Sequence, residues 1–291
     1  MITSVIEHPS VLESFRYFEK LGVTVTHLPV TEEGMFDPTV FRNALRKETV
    51  LVSLMNVNNE IGTLQPLAEI GKVILKFRKE HQTPFPYFHT DASQGILFIE
   101  VDVEKLHVDL LSLDAQKIYG PQGVGALFVR RDVSITPLYH GGSQEKGLRP
   151  GTQNVAGVVG FGEAFALALK ERESETVRLR KLQEVFVAEL KHTIPEARLN
   201  GPLENRLPSN VNFSIPGKDS AFLVLQLDAK GVAAATRSAC IRGGNESYVV
   251  KALSNEKERA SSSLRFSFGL YTTEEDVKRA VNILANIVKN G

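Results

Sequence analysis

Lys117 stands in DAQKIYGPQGVG, between an apolar run and a glycine turn. A lysine so placed can form a Schiff base with an aldehyde if its amine is kept partly neutral; otherwise it is a solvated turn residue. Asp91 closes the run before DASQG, where a carboxylate can face a protonated ring nitrogen or cap a helix. Gln94, three residues on, can reach a ring oxygen or remain on the surface. His8 precedes a helix-start proline and can lie on a ring face or simply begin the helix. Asn59, in VNNEIG, suits a carboxylate or ring-oxygen contact, and equally turn chemistry. Arg265 interrupts the apolar pattern of SSSLRFSFG. A buried guanidinium there needs an anion, from a substrate or from the protein.

Cys240, in ATRSACIRGGNES, is flanked by Arg237 and Arg242 and followed by two glycines. Nearby positive charge lowers a thiol pKa, and glycines let a loop swing. The other reading is a small buried hydrophobe. The glycines of GPQGVG do not form a phosphate loop, because the Gly-Lys-Ser/Thr ending is missing and a strand follows rather than a helix.

These residues need a frame. Strand patterns cover 2–7, 23–28, 50–55, 87–91, 110–113 and 123–130. Helical patterns lie between them, starting at Pro9 and at Asp37-Pro38, with Ile70, Val73, Ile74 and Phe77 at helical spacing. Such alternation predicts a mostly parallel sheet covered by helices on both faces. Ligands of such sheets sit beyond the carboxyl ends of the strands. His8, Asn58-Asn59-Glu60, Asp91 and Lys117 should therefore converge. Residues 139–154 read as a long functional loop, and a helix from 155 to about 190 follows. Short strands at 211–215 and 264–268 and a last helix over 274–289 predict a smaller α+β unit.

The 291 residues balance 34 Lys and Arg against 34 Asp and Glu, with 42% hydrophobic content. No basic footprint for nucleic acid, membrane-surface helix or apolar span is present. One cysteine cannot form an internal disulfide, and no Cys/His spacing suggests a metal site. A reducing, cytoplasmic setting fits. The first ten residues lack the basic flank and apolar run of a signal peptide.

In order along the chain come His8, VNNEIG, DASQ, KIYGPQGVG, RPGT, SAC and SSSLRFS. Together they resemble the cysteine desulfurases of the class V aminotransferase family, and the likeness runs from ITSVIEHPSV to TTEEDV. The resemblance implies an α/β fold of the type I pyridoxal-phosphate (PLP) transferases. Residues 1–168 would form the large PLP-binding domain and 169–291 the small C-terminal domain carrying the Cys240 loop. It further implies L-cysteine as substrate and a homodimer. The sulfur-acceptor partner would be an iron–sulfur scaffold or a tRNA thiolation factor. By position, Lys117 matches the lysine that holds the cofactor, Asp91 the ring-nitrogen partner, Gln94 the ring-oxygen partner and His8 the stacking residue. Asn59 and Arg265 match the substrate-carboxylate clamp. Thr152 matches a threonine that reaches the phosphate of the partner subunit's cofactor, and Cys240 the persulfide carrier.

Three departures from the pattern stand out. The family carries a segment ahead of the position of Met1, with a Gly-Ala-Thr turn that cradles the phosphate at a helix N-terminus. The usual Ser-x-His-Lys reads Asp114-Ala115-Gln116-Lys117. Gln116 can still donate to a phosphate, but an ionised Asp114 at about 4 Å would repel it by roughly 4 kcal/mol at an effective dielectric of ~20. The loop after Cys240 is slightly shorter than in the long-loop desulfurases. The other readings are another class V enzyme, such as a selenocysteine lyase or aminotransferase, or an impaired relative acting as a binding or regulatory subunit.

Overall fold

The first strands are short, and their buried apolar side chains, Ile2, Leu28, Val52 and Phe88, share one core with helix residues such as Phe41 and Ile70. In the computed structural model, which describes residues 1–237, 246–254 and 256–290, strand β1 (Ile2–Ser4) is fully buried and leads into helix α1 (Pro9–Lys20). Pro9 opens α1 because the missing N–H costs nothing in a first turn. Leu12 and Phe15 form the buried face of α1. β2 (Thr26–Leu28) follows, then α2 (Pro38–Ala44), whose N-cap Asp37 accepts from the amides of Thr39 and Val40. β3 (Leu51–Ser53) leads to α3 (Leu67–His81), which buries Leu67, Ile70 and Ile74 at helical spacing. β4 (Tyr87–Asp91), the short α4 (Val103–Leu106) and β5 (Leu110–Asp114) come next. A 3-10 turn (Ala115–Ile118) and β6 (Gly125–Val129) complete this half.

The six strands form one sheet in the order β2-β1-β3-β4-β5-β6. All pairs are parallel except β5 with β6. β6 is thus the return arm of a hairpin. It lies at the sheet edge with Leu127 51% and Phe128 37% exposed. Strand order reverses between β1 and β3, the place where open α/β sheets leave a crevice at their carboxyl ends.

Helix α5 (Val155–Thr193) is one continuous rod of 39 residues capped by Asn154. Its first turns are largely exposed. Its last turns bury Leu179, Leu182, Phe186 and Leu190 against an antiparallel sheet of β7 (Arg198–Leu199), β8 (Asn210–Ser214) and β9 (Ser263–Ser267). Helix α6 (Ser220–Asp228) and the last helix, labelled α9 below, pack on the same core. Between them the short α7 (Tyr248–Ser254) and α8 (Lys257–Ser261) turn back to the first sheet. Val249, Val250, Leu253 and Ala260 pack in the core of Ile2, Phe41, Val52 and Phe88. α9 (Glu274–Asn290) buries Val277, Val281 and Leu284.

The elements α4, α7, α8 and β7 span two to seven residues, too few for a hydrophobic stripe to repeat clearly. α6 escaped for another reason: its apolar residues occupy every side, so no stripe is visible. No helix among the described residues is long and apolar enough to cross a membrane.

Phe186 has its ring 5.0 Å from that of Phe266 and 5.6 Å from that of Phe268, with no solvent exposure. Phe186→Ala is expected to cost about 3–5 kcal/mol, read as a lower urea midpoint. Val158→Ala, on the exposed face of α5, should stay within about 0.5 kcal/mol of the parent.

Candidate active site at the strand ends

The carboxyl ends of β1, β3, β4 and β5 open into one cavity of about 1110 Å³. Sheet geometry explains the convergence: parallel strands all deliver their following residues to the same edge. His8, Asn59, Asp91, Gln94, Gln116, Lys117 and Arg265 all line this cavity. Thr152 is exposed on the loop before α5 and does not line it. Cys240 falls within 238–245, outside the described residues.

Two residues expected to converge do something else. Asn58 is fully buried; its Nδ2 donates to the Ile6 carbonyl at 2.9 Å, and its Oδ1 accepts from the amides of Glu60 and Ile61 at 2.9 and 3.0 Å. Glu60 is also fully buried, and its carboxylate accepts from the Ser247 hydroxyl at 2.6 Å. Neither lines the cavity. Asn58 builds the turn, and Asn59 is the member that faces inward.

His8 serves both of its readings. It is the N-cap of α1, with Nδ1 accepting from the Ser10 amide at 3.3 Å, and its ring borders the cavity. A neutral ring accepting at Nδ1 carries its proton on Nε2. Burial holds the imidazole below its ordinary range; the Asp91 charge opposes this and the Lys117 charge adds to it. Asp91 likewise accepts from the Ser93 amide at 3.0 Å while facing the cavity.

Lys117 sits on the 3-10 turn, exposed to the cavity. Asp114 caps that turn. One of its oxygens accepts from the Gln116 amide at 3.2 Å and the other from Gln116 Nε2 at 3.0 Å. The Asp114 carboxylate is thus engaged locally, at the cost of one of Gln116's two side-chain protons. Arg265 donates from Nη1 to the Asn59 carbonyl at 3.0 Å, so a backbone oxygen receives the bond expected for an anion. Its Nε and the Oδ1 of Asn59 are buried without partners. Burial pushes the guanidinium below its usual range, and the Glu60 charge pulls it back.

His89 was not singled out by sequence. Its ring bridges the hydroxyls of Ser53 and Ser112, each at 2.8 Å, and faces the cavity two residues before Asp91 on the same side of β4. The period-2 rule for strands was the available signal. Glu7 was missed as well. It is fully buried next to His8, with Oε1 accepting from the Ser4 hydroxyl at 2.7 Å and the Met55 amide at 3.0 Å.

A family model for class-V aminotransferases matches residues 1–280. This chain belongs to that family. The cysteine desulfurase IscS of Dictyoglomus turgidum is 46% identical over 290 residues, 99% of this chain and 72% of that protein. The mitochondrial cysteine desulfurase of Arabidopsis thaliana is 42% identical over 292 residues, 99% of this chain and 62% of its own length. A NifS-like protein of known structure superposes with a TM-score of 0.91 at 34% identity, covering 100% of this chain and 75% of the other. A protein named SspA, solved in complex with cysteine, gives 0.74 at 31% identity, covering 94% and 74%. The sulfur-transferring branch of the class-V family is therefore where its relatives lie, and its members are PLP enzymes.

The donor set suits such a cofactor. The Lys117 amine, the Asp91 carboxylate, the His8 imidazole and the carboxamides of Asn59, Gln94 and Gln116 surround one space, and the unpartnered Asn59 Oδ1 and Arg265 Nε await polar groups. Gln116 Nε2 donates one of its protons to Asp114 and keeps the other.

Burial raises the Glu7 pKa from 4.5 to about 8, with the Asp91 charge adding to it and the two hydrogen bonds opposing. The folded protein therefore holds this proton where the unfolded chain has released it. Folding stability should fall as pH rises from about 4.5 to about 8. Glu7→Gln should match the parent near the lower limit and gain on it towards the upper one, as read by urea midpoints across the series.

Proposed function

We propose that the chain is a PLP-dependent cysteine desulfurase. It converts L-cysteine to L-alanine and keeps the sulfur as a persulfide on Cys240. The observation that supports this most is the meeting of Lys117, Asp91, His8, Asn59 and Arg265 in one cavity at the strand ends.

Lys117 would hold PLP through its amine, Asp91 at the ring nitrogen, Gln94 at the ring oxygen and His8 on the ring face. Gln116 would hold the phosphate, together with Thr152 of a second copy in a homodimer. Bound PLP supplies an electron sink beside the α-carbon of an amino acid. Arg265 and Asn59 take the substrate carboxylate, which gives the unpartnered Nε an anion and orients the α-carbon. The Lys117 amine moves the α-proton. The Cys240 thiolate attacks the substrate sulfur; the carbon–sulfur bond breaks, its electron pair stays with carbon, and a proton completes alanine. The flanking Arg237 and Arg242 favour the thiolate. A persulfide must then leave, so the partner is a sulfur acceptor such as an iron–sulfur scaffold or a tRNA thiolation factor. The single cysteine suits the cytoplasm.

Adding PLP to the purified chain should produce a visible absorbance band that Lys117→Ala removes. Cysteine should then yield alanine. Cys240→Ser should keep the band and lose alanine formation by at least ~100-fold, the scale of removing a reacting nucleophile. A Cys240→Ser chain that stays active points to another class-V reaction. A chain that remains colourless and inactive is a binding or regulatory relative.

A further inference from the structure

The residue that closes the 3-10 turn of Lys117 is a backbone outlier. Tyr119 ends that turn at φ 62°, ψ 18°. A bulky side chain seldom adopts this left-handed region, where glycine or asparagine would end a turn with less strain. Such strain persists only where the surroundings hold it, and it gathers at working sites. Tyr119 lines the cavity, and its hydroxyl oxygen accepts from the Leu270 amide at 3.0 Å.

Leu270 belongs to the loop that follows β9, the strand of Arg265. That loop is a firm abutment. The Gly269 amide donates to the Thr272 hydroxyl at 2.9 Å, and the Thr272 amide donates back to the Gly269 carbonyl at 3.1 Å. From α5, Arg178 donates to the carbonyls of Gly269 and Thr272 at 2.9 and 2.7 Å. Glu175 holds the same guanidinium through two bonds of 2.7 Å. A Cβ at position 269 would lie 3.3 Å from the Tyr119 oxygen, a tight contact that the glycine avoids.

The two groups that must meet at one substrate lie on separate sheets. Lys117 follows β5 of the first, and Arg265 stands on β9 of the second. On the Asn59 side, Asn210 and Asn212 join the sheets through the Glu60 carbonyl. On the lysine side, the Tyr119 bond to Leu270 joins the turn to the loop after β9. We infer that Tyr119 is a positioning residue: its hydroxyl, resting on the Leu270 amide, sets the Lys117 turn against the strand of Arg265. The amine and the carboxylate clamp are thereby held in register across the cavity. This rests on the desulfurase reading above.

Tyr119→Phe keeps the ring and removes the hydroxyl. In the PLP-loaded chain it should lower kcat for alanine formation about tenfold while KM for cysteine stays within about twofold. Arg265 and Asn59 still bind the carboxylate, whereas the amine that moves the α-proton is less well aimed. Leu270→Pro removes the donor from the other side and suits the second position of the turn from Gly269 to Thr272. It should give the same split between kcat and KM. The second readout is amide exchange in the chain without cofactor. Tyr119→Phe should speed exchange by at least ~fivefold at 269–272 and also at 115–120, across the lost bond. Parental kcat in either variant overturns the inference, as does a loss that falls on KM or faster exchange confined to 269–272. A parent chain that makes no alanine sinks the desulfurase reading instead, and the spread of exchange across the bond still decides whether Tyr119 holds the lysine turn.

Discussion

The carboxamide of Asn58 is the joint on which the site depends. It donates to the carbonyl of Ile6 after β1 and accepts from two amides after β3, entirely out of water. β1 and β3 are the neighbours where strand order reverses, so their following segments diverge and leave a gap. One side chain spans that gap and satisfies buried backbone groups on both sides. Without it these groups would be stranded, each at a cost of roughly 1–3 kcal/mol. The turn it holds presents Asn59 to the cavity. It also presents the Glu60 carbonyl to Asn210 and Asn212 on β8, so the second sheet docks at the same point.

Desolvation dominates the electrostatics around this joint. It pushes Glu7 towards its neutral acid, His8 towards its neutral imidazole, and the Arg265 guanidinium below its usual range. The Asp91 charge reinforces the shift of Glu7 and opposes that of His8, and the Glu60 charge opposes that of Arg265. Such a pocket leaves charge to be supplied by whatever enters it. The unpartnered Arg265 Nε and Asn59 Oδ1 lie where an incoming carboxylate or ring oxygen would restore the balance.

Asp114 shows how one substitution in a motif can be absorbed locally. The turn accommodates the carboxylate at this position by making it an N-cap and a partner for Gln116. The motif keeps its shape, because a 3-10 turn benefits from a capping acceptor whatever lies beyond it. Likeness to the desulfurases over 99% of the chain therefore coexists with a carboxylate at position 114.

Much of this protein was written in local pattern. Buried runs and 3.6-residue stripes gave the alternation of β1 to β5 with α1 to α3, and Pro9 and Asp37 marked two helix starts. His8, Asn59, Asp91, Gln94 and Lys117 were legible because each ends or follows a strand, and parallel strands share one carboxyl edge; Arg265 reaches the cavity from the middle of β9 in the second sheet. Tertiary structure alone decided the rest. It made Asn58 and Glu60 structural and left Asn59 to face the cavity. It set His89 between two serines from neighbouring strands, and brought Val249 and Leu253 back onto the first core. The physical reason is range. Caps and stripes are satisfied within one or two turns, whereas the partners that define these residues lie on other strands or some 190 positions away, and sequence spacing carries no record of them.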